Sequence, residues 1–289
     1  MTEFDKNITF VIVSFRSDNV IDKCLESINP NIKIIVVENS NKISIKNYLE
    51  KKFPNVEVLI SRENIGYGRG NNLGISKVKT KYAFILNPDA YLDKYTLQEL
   101  FNVKNILNED FSILSPKIYN NEIFNSINDE KNNFIEVDFV KGFAMLINLK
   151  KVNFAKIFDE NFFLFLEEID LCKRIKENGE KIYIACKAKV YHNAKESSGS
   201  EFQIELCRNW HWMWSLYYYN YKHFGLFAAY KITFYKFISS LIKMLLAKLL
   251  MKKKKYFIYK YRLLGLINAY LGKPSWLRPH HIGNINHEK

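Results

Sequence analysis

Asp89 follows an apolar run, Tyr82 to Leu86, that shows no polar alternation and so reads as a strand buried on both faces. Proline cannot donate to a ladder and fixes φ, so the chain must leave the sheet at Asn87-Pro88-Asp89. A carboxylate then stands at the carboxyl end of a core strand, where open α/β sheets hold their ligands. The same three residues also make an ordinary turn. A second acidic group, Glu167, Glu168 and Asp170, lies directly behind the aromatic and apolar run Asn161 to Leu166. Desolvation by that run would raise the pKa of one carboxyl and fit it for general-base work. The three acids equally complement the positive end of a helix. His192 and Glu38 each close a short apolar strand.

These groups need elements to hold them, and the chain supplies strands and helices in alternation. Ile8 to Ser14, Lys33 to Val37, Val56 to Ile60 and Tyr82 to Leu86 are β-rich apolar runs. Between them Asp18 is placed to cap a helix running to Ile28, and Ile43 to Phe53 reads as a second helix. The stretch Arg62 to Gly74 carries four glycines in nine residues and reads as a loop opening a helix that continues through Ile75 to Val78. It follows the third strand, so it is read as no dinucleotide fingerprint. Farther on, the reading is a helix from Tyr95 to Leu107, a long strand from Val137 to Ile147, a helix from Glu167 that Asn178-Gly179 ends, and two strands, Lys181 to Ala185 and Ala188 to Tyr191. Polar residues collecting after successive strands are the pattern of a parallel sheet that binds a nucleotide.

The chain of 289 residues is long enough for one large core, or one core with an appendage. Its charge divides it. Residues 208–289 hold 15 lysines and arginines against one acid, Glu288, whereas residues 1–207 hold 28 basic against 29 acidic side chains. A basic surplus of that size calls for a polyanionic partner, nucleic acid or an anionic membrane surface. The four cysteines, Cys24, Cys172, Cys186 and Cys207, have no metal-ligand spacing and read as reduced thiols of a cytosolic protein. Met1 to Lys6 has no signal pattern and leads straight into a strand.

The basic region is also aromatic. Arg208 to Tyr221 contains three tryptophans and four tyrosines, and Gly225 to Met251 is apolar but carries Lys231, Lys236, Lys243 and Lys248. A lysine at mid-bilayer costs roughly 2.5–3.5 kcal/mol, which excludes a spanning helix. The polybasic run Lys252 to Lys255 follows, each lysine contributing roughly 1 kcal/mol near anionic lipid. Aromatic belt, apolar helix and polybasic run together fit a monotopic anchor, although the lysines do not gather on one helical face. A helical subdomain, or a homo-oligomer interface with a solvated basic face, fits them too.

Several of these stretches together resemble a family 2 glycosyltransferase of the GT-A fold, in its rhamnosyltransferase-like branch. They are Val36 to Ser40, Glu63 to Gly74, Leu86-Asn-Pro-Asp89, Val140 to Ala144, and Phe158 to Cys172, with Tyr191-His192 after them. The likeness covers roughly residues 7 to 200. It implies an α/β fold, Rossmann-like, with a mostly parallel central sheet flanked by helices over residues 1–205, and a helical, basic, membrane-associating region over 206–289. It further implies inverting transfer of a sugar, rhamnose in some relatives, from a dTDP- or UDP-linked donor to a lipid-linked saccharide at the cytoplasmic face of the inner membrane.

On that resemblance Asp89 and His192 would hold Mg²⁺ or Mn²⁺, and Ser14, Glu38, Asn64, Arg69, Asn87, Asp89 and Gly142 would line the donor. Glu168 would be the base, with Glu167 the runner-up and Asp170 orienting a neighbour. The sequence departs from the family pattern twice. Asn87 replaces the first acid of an Asp-x-Asp, and Glu168 replaces the second member of a Glu-Asp pair. An inactive sugar-nucleotide-binding relative, or a basic nucleic-acid binder, is the competing reading.

Overall fold

The computed structural model describes residues 3–119, 132–152, 154–192 and 201–282. They fall into two compact units, residues 1–159 with 168–199, and residues 160–167 with 200–289.

In the first unit a short helix α1 (Glu3–Lys6) leads into β1 (Ile8–Ser14), α2 (Ile21–Glu26), β2 (Lys33–Glu38), α3 (Ile43–Lys52), β3 (Val56–Ile60), α4 (Tyr67–Ile75) and β4 (Tyr82–Leu86). Then follow β5 (Ala90–Leu92), α5 (Thr96–Ile106), β6 (Ile113–Tyr119), β7 (Phe134–Glu136), β8 (Ala144–Asn148), α6 (Glu167–Glu177) and β9 (Ile182–His192). The strands form one sheet in the order β3-β2-β1-β4-β8-β6-β9-β5, with β7 added against β9. Its β3-β2-β1-β4 half is parallel, as is the β6/β9 pair, and the remaining pairs are antiparallel.

Strand alternation sends side chains into two cores. Phe10, Ile12, Phe84, Leu86 and Leu146 join Leu25, Leu49 and Leu100 of the helices on one face. Val11, Ile85, Met145 and Ile147 join Leu171 and Ile175 of α6 on the other. That explains the lack of polar alternation in Tyr82–Leu86: a strand covered on both faces has no solvent side.

Several local readings are corrected. Asp18 does not cap α2. The cap position is Val20, the Ser17 carbonyl accepts the Val20 and Ile21 N–H groups, and Asp18 is ion-paired with Lys42 at 2.7 Å. The glycine-rich stretch is the helix α4 itself, with Gly66 (φ 87°) at its N-cap. A Cβ on Gly74 would stand 2.4 Å from Val11 Cγ1, and one on Gly70 2.8 Å from Val13 Cγ1, so the glycines let α4 lie close on β1. The segment from Val137 to Ile147 is not one strand, since only Ala144–Asn148 is extended there. The two strands expected between Lys181 and Tyr191 are one, β9, opposite a register shift in β6 at Pro116/Lys117.

The second unit is a helical pair, α7 (Phe202–Leu249) and α8 (Lys253–Tyr270), followed by a 3₁₀ turn at Pro279–His281. Gly225, at φ 80° and ψ 177°, kinks α7. The core joins Phe202, Leu206, Trp210, Met213 and Trp214 to Leu266, Ala269, Leu277 and Ile282. A Cβ on Gly265 would come 2.3 Å from the Trp210 carbonyl oxygen, so here too a glycine permits backbone to approach backbone. Among the described residues no helix is long and apolar enough to cross a membrane.

Candidate active site

Each strand of the parallel half delivers a polar group at its carboxyl end. Ser14 and Glu38 are opposite one another in the β1/β2 register, and both are buried. Glu38 Oε1 accepts the Ser40 N–H at 2.6 Å, while Oε2 is buried with no hydrogen-bond partner. Burial pushes the Glu38 carboxyl up, and hydrogen bonds from Ser40 and Ser14 partly offset that. Asn39 donates to the Gly66 carbonyl at 3.1 Å and so fixes the start of α4. Asn64 shapes the same entry, accepting the Gly66 N–H at 3.0 Å. Arg69 is exposed on α4.

At the end of β4 the chain does leave the ladder at Pro88, but it rejoins the sheet within two residues. Asn87 donates its N–H to the Phe143 carbonyl at 2.8 Å and accepts that of Ala90 at 3.1 Å, closing a turn around Pro88-Asp89. Ala90 then pairs with His192 across β5/β9. This three-residue strand sets Asp89, its side chain 2% exposed, beside His192, 17% exposed, with Nε2 3.2 Å from Asp89 Oδ1. The geometry does not make a hydrogen bond: Asp89 Oδ1 is buried without one, and so is Asn87 Oδ1. The Phe143 ring stacks flat on His192, with centroids 4.3 Å apart and planes 4° apart. Behind the turn, the Cys24 thiol lies 3.4 Å from the Asn87 carbonyl, and burial, with the Asp89 charge second, pushes its pKa up.

The loop entering β8 extends this cluster to α6. Tyr67 OH donates to the Gly142 carbonyl at 2.6 Å. A Cβ at Gly142 would stand 3.1 Å from Glu168 Cβ and 3.3 Å from its Cγ. The chain therefore links Glu168 through Gly142 and Phe143 to His192 and Asp89. Gly142 accommodates the Glu168 stem, a role its sequence position did not reveal. Asp170, fully buried, is engaged by Arg174 Nε at 2.8 Å, and Arg174 also donates to the Ile157 carbonyl. That pairing makes Asp170 Oδ2 a brace of α6. Glu167 is buried and groups with the second unit, whereas Glu168 groups with the first. Phe165 and Leu166, at φ 71° and 67°, turn the chain through two left-handed residues before α6 begins. Such conformations cost about 1–3 kcal/mol each and concentrate at functional sites.

Sequence reading missed Phe143, Tyr67 and β5. Phe143 lies within the resembling stretch Val140 to Ala144, so a signal was there, but nothing in the sequence pairs it with His192. Among the described residues no cluster of three or more His, Cys, Asp or Glu could enclose a metal. The two groups that do converge, Asp89 with an unsatisfied buried oxygen and His192 beside it, together with the unsatisfied side-chain Oδ1 of Asn87 two residues earlier, fit a cation whose remaining ligands come from elsewhere.

An α/β sheet with its polar groups gathered at the carboxyl ends of parallel strands, extended by antiparallel strands, is the GT-A architecture. Two solved structures share it. A mannosyltransferase from Pyrobaculum calidifontis, in complex with GDP-Man and Mn²⁺, superposes with a TM-score of 0.58 at 12% identity, covering 92% of this chain and 88% of its own. S. aureus TarS residues 1–349, in complex with UDP, gives 0.52 at 14% identity and covers 92% of both. Residues 9–167 match the model of glycosyl transferase family 2, and the chain belongs to that family. Among curated relatives, the low-salt glycan biosynthesis hexosyltransferase Agl10 of Haloferax volcanii is 26% identical over 61% of this chain and 64% of its own length. Rhamnosyltransferase WbbL of Escherichia coli K12 is 24% identical over 71% of this chain and 89% of its own. The chain thus spans just under two thirds of the first relative and most of the second.

Proposed function

We propose that this chain transfers a hexose or deoxyhexose from a nucleoside-diphosphate donor, dTDP- or UDP-linked, to a hydroxyl of a lipid-linked saccharide, with inversion at the anomeric carbon. The observation that carries this reading is the run of contacts from Asp89 and His192, through Phe143 and Gly142, to Glu168. It sets two functions side by side, charge neutralisation and proton abstraction.

Asp89, His192 and the side-chain Oδ1 of Asn87 would hold Mg²⁺ or Mn²⁺, which when bound neutralises the charge developing on the departing diphosphate. Imidazole in the donor set favours Mn²⁺ over Mg²⁺, and the neutral amide of Asn87 makes the site weaker than one built on two carboxylates. Glu38 accepts a hydrogen bond from the donor's base or ribose through its unsatisfied Oε2, and Ser14 supports Glu38 from the neighbouring strand. Glu168 takes the proton of the acceptor hydroxyl as that oxygen attacks the anomeric carbon and the bond to the diphosphate oxygen breaks. Tyr67 fixes the Gly142 carbonyl and so the loop against which Glu168 packs.

The similarity to rhamnosyltransferase WbbL and to Agl10, a glycan biosynthesis hexosyltransferase, supports a sugar donor and a place in glycan assembly. The carboxylates at the strand ends speak for sugar transfer over nucleic-acid binding, since a polyanion would be repelled there. A thermal-shift screen of dTDP-, UDP- and GDP-linked sugars, with and without Mn²⁺, identifies the donor. Glu168→Gln is then expected to bind that donor with unchanged affinity and to lose transfer. Full activity of Glu168→Gln would remove Glu168 as the base, and the absence of any Mn²⁺-dependent shift would end the donor reading.

A further inference from the structure

The helical unit carries an apolar surface that its own core does not use. In α7 after the Gly225 kink, Ala229, Thr233, Ser240 and Ala247 are buried. Their spacing puts all four on one side of the helix. On the opposite side Phe227, Phe234, Ile238, Ile242, Leu245 and Leu249 are exposed, in steps of seven, four, four, three and four residues. That stripe is about three times the length of a heptad, and exposed Lys231 interrupts it between Phe227 and Phe234. It runs to the turn between α7 and α8, where Leu249 is 78% and Met251 82% exposed, Leu250 is exposed too, and Met251 is left-handed at φ 54°. Exposed residues Leu264, Ile267 and Leu271 recur at helical spacing on α8.

Charge identifies what covers this surface. Lys248 and Lys252 to Lys255 surround the turn and are exposed. Of these, Lys254 meets Glu205 at 3.0 Å. Between residues 206 and 282 the sequence contains no aspartate or glutamate at all. A second copy laid on the stripe would bring lysine against lysine with only Glu205 of each copy, already paired with Lys254, to separate them. A polyanion without an apolar phase would leave the stripe in water. An anionic bilayer satisfies both, taking aliphatic and aromatic side chains below the headgroups and lysines among them.

We propose that the outward stripe of α7 and the Leu249–Met251 turn form an interfacial docking surface for an anionic lipid bilayer, with Leu249, Leu250 and Met251 entering below the headgroups and Lys252 to Lys255 engaging them. The helices lie in the interface and do not span it, consistent with their hydropathy. This surface is independent of the donor-site reading. A lipid-linked acceptor is the class of substrate that such docking would bring within reach.

The test uses the full chain and co-sedimentation with vesicles of phosphatidylcholine alone or mixed with phosphatidylglycerol. The expected result is binding to the mixed vesicles only, weakened by salt. Replacing Lys252 to Lys255 by Gln is expected to weaken it by about fivefold per lysine removed. Leu249→Glu with Met251→Glu, both at exposed sites, should abolish binding, and Phe227→Glu, at the far end of the stripe, should weaken it by itself. The thermal shift with nucleotide sugar should be the same in all variants, which separates loss of docking from loss of fold or of the donor site. Equal binding to both vesicle types would overturn the proposal. So would unchanged vesicle binding of the Leu249/Met251 variant, or a light-scattering mass showing that the stripe instead joins two copies.

Discussion

The two units differ in how many buried polar atoms they leave unmet, and where. In the helical unit His211 is fully buried yet satisfied at both nitrogens, by Ser275 Oγ at 2.8 Å and the Leu277 carbonyl at 2.7 Å. Ser215 donates to the Leu164 carbonyl and Trp214 to that of Lys273. The exceptions are Arg262 Nε and the Glu167 Oε2 atom at the start of α6. In the sheet unit, buried oxygens of Asp22, Glu38, Asn71, Asn87 and Asp89 have no hydrogen-bond partner. Each such atom costs about 1–3 kcal/mol. A fold tolerates that cost where a ligand later supplies the missing partner, and three of these five residues stand at or just beyond the carboxyl ends of β2 and β4. The helical unit places its unmet demand on the outside instead, as apolar surface.

Substitutions should therefore divide between units by what they damage. The largest effect belongs to Glu168→Gln, with transfer falling by about 10²–10⁴-fold while the melting temperature stays near wild type. Asp89→Asn should lower transfer by about 10²–10³-fold, abolish the Mn²⁺-dependent thermal shift, and leave the helical unit's tryptophan emission unchanged. A variant that lost activity only by unfolding would break the comparison.

Substitution at the close-approach glycines should show the reverse, stability without chemistry. Gly265→Ala drives a methyl into the Trp210 backbone and should cost about 3 kcal/mol, read by denaturant melts. Gly74→Ala meets a valine side chain that can shift and should cost about 1–2 kcal/mol.

Acid sensitivity grows gradually as pH falls. Burial lowers the His211 pKa from 6.5 to about 3. Between those values the unfolded chain holds the proton and the folded chain does not, so stability is lost as pH falls, by about 1.4 kcal/mol per pH unit. Glu109 in the sheet unit is held at about 2, chiefly by its hydrogen bond from Lys81, so its contribution is lost only as pH falls from 4.5 towards 2. All four tryptophans, Trp210, Trp212, Trp214 and Trp276, belong to the helical unit. Their fluorescence should change before amide exchange rises in β1 and β4. Simultaneous change at both would mean that the units unfold as one.

Much of the sheet was legible because a doubly covered strand leaves an unbroken apolar run, as in β1, β2 and β4. Helix entry was less legible. Asp18 has the chemistry of a cap, but Lys42, far along the chain, claims its carboxylate. Four glycines looked like a loop because their helix-breaking cost is local, whereas the gain from seating α4 on Val11 and Val13 is tertiary. The three-residue β5 carries no periodicity from which to be read.

Residue types and their order along the chain settled which groups are available: a carboxylate after a strand, acids at a helix start, a histidine at a strand end, and lysines without acids on an apolar helix. Each follows from local rules, steric for proline, electrostatic for helix ends, hydrophobic for strands. Which groups meet was decided by the fold alone. The β5/β9 ladder sets His192 beside Asp89, and Gly142 yields space to Glu168, over separations in sequence that no local rule spans. The outward stripe of α7 is likewise a tertiary fact. Either side of that helix is apolar, and only packing against α8 decides which one remains exposed.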